Sequence, residues 1–500
     1  MATVAELEQL GNSELARRLH WAELKIQVLE ERLRKQRIAQ LGPFSENLSN
    51  LQLQFLIEEE PGVSAAEVEA ESRREPIVPK VPKTKKPHPG RQQLPADLPR
   101  VERIIACSDP NCKQCGAQTT VIGYDSSEQL DVEQPRYFVK VTKREKRACA
   151  ECCSIQMPPL EPRIIEKRLA SDRLVVATVV NKYCDHLPLY RIEAMLEREA
   201  GLEISRSTMD GWVMTVGELL GPVTKGMRLD LLKADYLQAD ETTVPVQMHD
   251  KRGADHQAYL WQYGKPGGET VFDFQLGRGR DGPAKFLEGW NGILQTDGYQ
   301  AYNSIGGSQM LQAGCWAHAR RNFVDALKVN PKDNDAHCMV LRMDGLFVVD
   351  REARKQRMDA GERGKLRREY SLEFVSGIRE ACLGLKPRVL PKSVLGQAIG
   401  YVLNQWDKLT RCFEYDQVEL SNNLAENSMR PVALGRKNWL HVGSAKAGPK
   451  VAAILSVVES CRRLNVPVRE YLLDVLPGMS RLSVAQAGEL TPVRWAASRK

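Results

Sequence analysis

The sequence predicts a multidomain α/β protein, and three observations carry that expectation. The chain has 500 residues, and single hydrophobic cores stop growing at roughly 250–300 residues. Its centre, from Tyr236 to Leu276, reads as three successive alternating strands, followed by strands interleaved with helices. Ahead of that centre lie a heptad seam, a basic Pro-rich stretch and two Cys-x2-Cys pairs, each a different kind of module.

Composition narrows the class. At 42% hydrophobic and 27% charged residues, with mean hydropathy −0.40, the chain can bury sizeable cores. No apolar run approaches the roughly 18 residues of a membrane span, so no membrane partner is expected. The opening Met-Ala-Thr-Val-Ala-Glu lacks the apolar region of a secretory leader, and 12 cysteines are too sparse for a disulfide scaffold. Membrane, secreted and wholly disordered classes are excluded, and a cytoplasmic location is expected. The net charge of +7 is unevenly spread. Residues 1–75 carry 9 basic and 14 acidic side chains, whereas residues 76–170 carry 17 basic and 11 acidic ones. A basic stretch behind an acidic head points to a polyanion met locally.

Residues 1–42 read as a coiled-coil helix. Leu15, Leu19, Ala22, Ile26, Leu29 and Leu33 alternate steps of four and three, the a/d pattern of a self-associating seam, and Gly42-Pro43 ends it. A homo-oligomer is expected through this segment. Residues 43–100 form a linker whose basic core, Lys80, Lys83, Lys85, Lys86, His88 and Arg91, is interleaved with prolines. It reads as a solvated spacer; the sharper reading is a tether in which Lys83, Lys85, Lys86 and Arg91 contact DNA phosphates or a minor groove.

Residues 101–160 carry Cys112-x2-Cys115 and Cys149-x2-Cys152, two tight thiolate pairs of the kind that ligate zinc tetrahedrally. The 33 residues between the pairs leave room for a hairpin, and Tyr137–Val141 alternates like one of its strands. Cys107 or Cys153 could replace a neighbour as ligand. A zinc ribbon with one structural Zn²⁺ is the reading. Residues 165–225 read as three helices, the second opened by Pro188 and ended by Gly201, the third led in by Ser205-Arg206-Ser207-Thr208. That order resembles a helix-turn-helix and makes Arg206 a DNA-contact candidate.

From residue 230 to 480 the pattern changes. Tyr236–Met248, Gln257–Tyr263 and Thr270–Leu276 alternate, a short helix runs through Phe286, and Gly292–Asp297 and Gln309–Trp316 are further strands. This is the element order of a ribonuclease-H-like domain. Residues 325–420 read as an all-helical insertion, with Arg351–Lys355 and Arg367–Glu369 on solvated faces, and residues 481–500 as a C-terminal tail. Asp240 and Asp297 fall at comparable points of two strands, and Gly298 permits a sharp exit behind Asp297. Asn422 and Asn423 can cap a helix that bears Glu426 in its first turns, with Arg430 on the same face.

These blocks resemble a DDE-type bacterial transposase of the insertion-sequence 66 family. The resemblance rests on Ala239-Asp240-Glu241-Thr242, Thr296-Asp297-Gly298-Tyr299, the run Cys315-Trp316-Ala317-His318-Ala319-Arg320-Arg321, and Leu434-Gly435-Arg436-Lys437-Asn438-Trp439. It extends through Leu390–Ser393, Asn404–Trp406, His88–Arg91 and the cysteine pairs, so that almost the whole chain is covered. Asn427 and His441 depart from the family's usual residues. The resemblance implies a catalytic triad of Asp240, Asp297 and Glu426, which would hold two Mg²⁺ (or Mn²⁺) ions for DNA cleavage and strand transfer at terminal inverted repeats and into target DNA. It also implies small accessory proteins encoded by the same mobile element, and a nucleoid-associated place of action. Hydrolysing a phosphodiester and attacking another with the freed 3′-hydroxyl needs such hard, carboxylate-held cations.

Arg320, Arg321, Arg430, Arg436 and Lys437 are the expected phosphate contacts near those acids. Glu241, on the opposite face of its strand, is expected to be dispensable, with Glu419 as the alternative third acid. Cys315-x2-His318 would bind zinc only with further ligands, none of which is near in sequence, so a structural or DNA-end role is expected. The rival functions are a ribonuclease-H-like nuclease without strand transfer and a transposase-derived DNA-binding regulator.

Overall fold

The computed structural model describes residues 137–148, 155–166, 169–248 and 255–499, with isolated positions at 104, 114, 118 and 124. The expected heptad seam, the basic linker with Lys83, Lys85, Lys86 and Arg91, and the four candidate zinc ligands Cys112, Cys115, Cys149 and Cys152 lie outside the described residues. Strands β1 (Arg147–Ala148) and β2 (Ile155–Gln156) pair antiparallel, Ala148 opposite Ile155. They bracket the second cysteine pair. The strand expected at Tyr137–Val141 does not form: residues 137–146 carry no strand, and Val139 is 87% exposed. Alternation alone is insufficient without a ladder partner and a face to bury.

A helical module follows, and its boundaries are set by local chemistry. Ser171 caps α1 (Asp172–Tyr183) by accepting from the Leu174 N–H. Pro188 precedes α2 (Leu189–Ala200), which stops at Gly201 in the left-handed region at φ 63°. Ser205 caps α3 (Arg206–Leu219), and α4 (Gly221–Leu231) runs on from it. Val176, Val179, Met209, Val213 and Val216 are fully buried where α1 and α3 meet.

The central sheet has the order β5-β4-β3-β6-β7. Strands β3 (Tyr236–Val246), β4 (His256–Gly264) and β5 (Thr270–Gln275) are antiparallel neighbours. After a short helix α5 (Asp281–Phe286), β6 (Ile293–Gln295) lies parallel to β3, and β7 (Leu311–Ala313) parallel to β6. The exposed edge of β5 is sealed by α13 (Gly448–Arg463): the N–H groups of Thr270 and Phe272 donate to the Ser460 and Ser456 hydroxyls at 2.9 and 2.8 Å. Those serines do what a further strand would do, which removes an aggregation-prone edge.

At the other edge stands a block of helices: α6 (Trp316–Val329), α7 (Asn334–Lys355), α8 (Ala360–Tyr370), α9 (Leu372–Leu385), α10 (Val394–Asn404) and α11 (Trp406–Glu414). Its core of Trp316, Phe323, Met339, Ile378 and Val402 merges with Tyr236 and Ile293 of the sheet. The charged runs of this block are not all solvated. Arg367 is fully buried, donating to Asp350 and to the Val418 carbonyl, while Glu419 is gripped by Arg354 and by Arg363 at 3.2 Å. The chain then enters α12 (Asn423–Trp439), passes through α13, and ends in α14 (Val468–Val475), α15 (Val484–Gly488) and α16 (Pro492–Ser498). Among the described residues no helix is long and apolar enough to cross a membrane.

Candidate active site

Asp240 lies within β3, and Asp297 follows the end of β6, the strand parallel to it. The β3–β6 register pairs Tyr236 with Ile293 and Gln238 with Gln295. Two residues beyond the end of that register come Asp240 and Asp297, both close enough for their charges to act on the buried Tyr302 hydroxyl. Asp297 sits just beyond β6 in a turn that its own carboxylate closes, accepting from the Tyr299 N–H at 2.8 Å. Gly298, at φ +96°, makes the exit there, and the Tyr401 hydroxyl donates to the Asp297 carbonyl at 2.7 Å. Both acids are half-buried.

Glu426 arrives from α12, which a buried polar network lays across the sheet. Gln238 donates to the Ser421 carbonyl at 3.0 Å, Gln295 to the Glu419 carbonyl at 2.7 Å, and the Tyr236 hydroxyl accepts from the Glu419 N–H at 3.1 Å. Near the far end of α12, Arg436 donates to Thr242 and Thr243 of β3. Gln238, Asp240 and Thr242 share one face of β3 because side chains alternate, so α12 passes over the face that carries Asp240. Glu426, in the helix's first turn, rests against α6 in this structure. Its Oε1 lies 3.7 Å from His318 Nδ1 and its Oε2 3.7 Å from Arg321. Among the described residues, the one trio of potential ligands with donor atoms all within 4.8 Å of one another is Cys315, His318 and Glu426. The sequence reading finds no third ligand for Cys315 and His318; the structure supplies Glu426, more than a hundred residues away. Asp240 and Asp297 are not drawn into that cluster.

Electrostatics mark both places. Burial opposes a charge on the His318 imidazole, but Cys315 and Glu426 beside it outweigh burial and raise its pKa to about 10. Burial and the neighbouring Asp297 push Glu241 up to about 7, against the pull of Arg278. Glu241 is therefore not the inert neighbour its strand face suggests. It is only 7% exposed, accepts from Arg278 at 2.8 Å and from the Tyr302 hydroxyl at 2.9 Å, and would leave the buried Tyr302 hydroxyl unpaired if removed. Glu419 does not fit the role of alternative third acid either, because its carboxylate is tied into the arginine cluster of the helical block.

The expected phosphate contacts divide. Arg320 is 7% exposed and paired with Asp344, and Arg436 is 6% exposed and staples α12 to β3, so both leave the DNA-facing set. Arg321 faces Glu426 rather than solvent. Arg206, at the start of α3, keeps an exposed side chain although it pairs with Glu193 at 3.4 Å. Arg430 and Lys437 lie half-buried on α12. A cavity of about 330 Å³ lies beyond the end of α12, lined by Lys182, Tyr183, Trp439, His441, Lys446 and Lys450 among others. Lys182 sits over both the Tyr183 and Trp439 rings, and nothing in the local sequence signals that assembly.

A model described as the transposase IS66 family matches residues 167–450, more than half of the chain. The chain belongs to the IS66 transposase family. Two further models of the family match ahead of it: one described as transposase C of IS166 homeodomain over residues 28–103, and the zinc-finger binding domain of transposase IS66 over residues 109–153. Three similar proteins of Sinorhizobium fredii (strain NBRC 101917 / NGR234) carry the names uncharacterized protein y4qI, y4hP and y4jD. The first is 33% identical over 77% of this chain and 74% of its own length, and the second 29% identical over 95% and 88%. The third is 29% identical over 81% of this chain and 82% of its own length. Membership makes the protein a transposase with a zinc-finger family domain, and the geometry above is that of an IS66 family member.

Proposed function

We propose that this IS66 transposase binds the terminal inverted repeats of a bacterial insertion sequence and catalyses metal-dependent cleavage and strand transfer with Asp240, Asp297 and Glu426. The observation that carries the reading is Asp240 on β3 and Asp297 just past the parallel strand β6, both acting on Tyr302, with the helix that bears Glu426 bonded to β3 through Arg436. The sheet order, three antiparallel strands and then two parallel ones, supports a ribonuclease-H-like catalytic domain interrupted by the helical block.

The residues present fit a hard divalent cation. Asp240, Glu241 and Asp297 bring three carboxyl groups together, and burial first, then the Asp297 charge, raises Glu241 against the pull of Arg278. Oxygen donors of this kind suit Mg²⁺ or Mn²⁺. Two such ions, when bound, supply activation of the attacking oxygen and stabilisation of the leaving one. Asp240, Asp297 and Glu426 would hold them. The polar network under α12 keeps Glu426 at the sheet, and its side chain would turn from His318 and Arg321 toward Asp240. Arg430 and Lys437 would take phosphates, with Arg206 and the linker cations Lys83, Lys85, Lys86 and Arg91 contributing non-specific grip.

Full-length protein incubated with labelled element ends should nick and join them with Mg²⁺ and only bind them without it. Binding without cutting would favour the regulator, and cutting without joining the nuclease. The heptad seam is proposed to bring two ends together by self-association. Charged substitutions at Leu19, Ile26 and Leu33 should lower the assembly state in light scattering while leaving the melting of the catalytic domain unchanged; an unchanged assembly would assign pairing to another surface.

A further inference from the structure

The geometry points to a transition-metal site formed by Cys315, His318 and Glu426, which would hold the shared Glu426 in its α6-facing position, away from the hard-cation site proposed at Asp240 and Asp297. It rests on the donor arrangement alone and not on the transposition reading. Cys315 is the N-cap of α6 and His318 lies one turn on, so the helix presents both on one side. Glu426 meets them from the first turn of α12. The donor atoms lie within 4.8 Å of one another, and His318 Nδ1 and Glu426 Oε1 stand 3.7 Å apart. Bonds of about 2.1 Å in a tetrahedron separate such donors by roughly 3.4 Å. A small inward movement would therefore close the site.

The two facing atoms matter most. His318 Nδ1 and Glu426 Oε1 are both buried and neither has a hydrogen-bond partner. Buried polar atoms are rarely left so, and here two potential ligands point at the same gap. Arg321 engages the other carboxylate oxygen, Oε2, which leaves Oε1 to a cation. Sulfur with imidazole selects zinc or cobalt over magnesium. Three protein ligands also leave a fourth position open, the pattern of non-structural zinc sites. A cation there would hold Glu426 against α6.

The test is metal stoichiometry on the full chain, stripped by chelator, titrated with Co²⁺ and desalted. Thiolate-to-cobalt absorption and metal content are both read. Cys315→Ser and His318→Ala should each bind one ion per chain fewer than the wild type and lose part of the thiolate-to-cobalt absorption, which Asp240→Asn and Asp297→Asn should keep whole. Cys149→Ser, in the zinc-finger family domain, should remove a different ion, so that its loss adds to that of Cys315→Ser. Because Cys315 is buried, Glu426→Gln serves as a milder variant and should weaken Co²⁺ binding about tenfold or more. Equal metal content in the wild type, Cys315→Ser and Glu426→Gln overturns the site, and thiolate-to-cobalt absorption lost in Asp240→Asn overturns its independence of those aspartates. Neither result depends on whether the protein joins DNA.

Discussion

Asp240→Asn and Asp297→Asn are each expected to lower end-joining by about three orders of magnitude or more, with gel-shift affinity for the same DNA nearly unchanged. Each substitution keeps the shape and one oxygen but removes the charge proposed to hold a divalent cation. The catalytic contribution of such a cation is several kcal/mol, and each 1.36 kcal/mol is about tenfold in rate. Affinity depends instead on lysine and arginine contacts to phosphate and should keep its salt dependence. Glu426→Gln belongs to the same series. Glu352 is the appropriate control: it lies on the helical block, half exposed, and pairs only with its helix neighbours Lys355 and Gln356. Glu352→Gln should join ends at the wild-type rate, whereas Glu241→Gln should not be used for that purpose. Wild-type joining by Asp240→Asn would remove this residue from the chemistry.

Arg367→Met should destabilise the helical block by about 3–5 kcal/mol, because it leaves Asp350 and Glu419 buried with one cation fewer. Arg367 is fully buried, donates to Asp350 at 2.8 Å and holds the Val418 carbonyl at 2.5 Å. Removing the partner charge as well should recover part of the loss, so that Arg367→Met with Asp350→Leu melts higher than Arg367→Met alone. A loss below about 1 kcal/mol for the single variant would show the network to be dispensable. The effect should reach the site too, since the segment from Val418 to Ser421 is the lead into α12 and thus to Glu426.

Much of this architecture is legible locally. Alternation over Tyr236–Val246 and Thr270–Gln275 marks strands because a half-buried sheet demands it, and Ser171, Ser205 and Gly201 mark helix ends because capping and positive φ are local properties. Asp297 stands out because a strand end followed by Gly298 is also a local signal. What is not legible depends on partners distant in sequence. Glu241 looks solvent-facing until Arg278 and Tyr302 close over it. Arg367 reads as surface charge until Asp350, Val418 and Cys412 surround it. Arg320 and Arg436 read as phosphate contacts, yet Asp344 and the β3 threonines claim them. The meeting of Cys315 and His318 with Glu426 follows from the packing of α6 against the start of α12, which no spacing in the sequence encodes.

The account's central claim is that Asp240, Asp297 and Glu426 share one cation environment. It is tested most directly by replacing Mg²⁺ with Fe²⁺ in the DNA-bound protein and mapping the peptide bonds that ascorbate and peroxide then cut. Backbone cleavage should occur beside all three acids and be suppressed at all three by excess Mg²⁺. Cleavage confined to the neighbourhood of Cys315 and Glu426, with none beside Asp240 and Asp297, would contradict it.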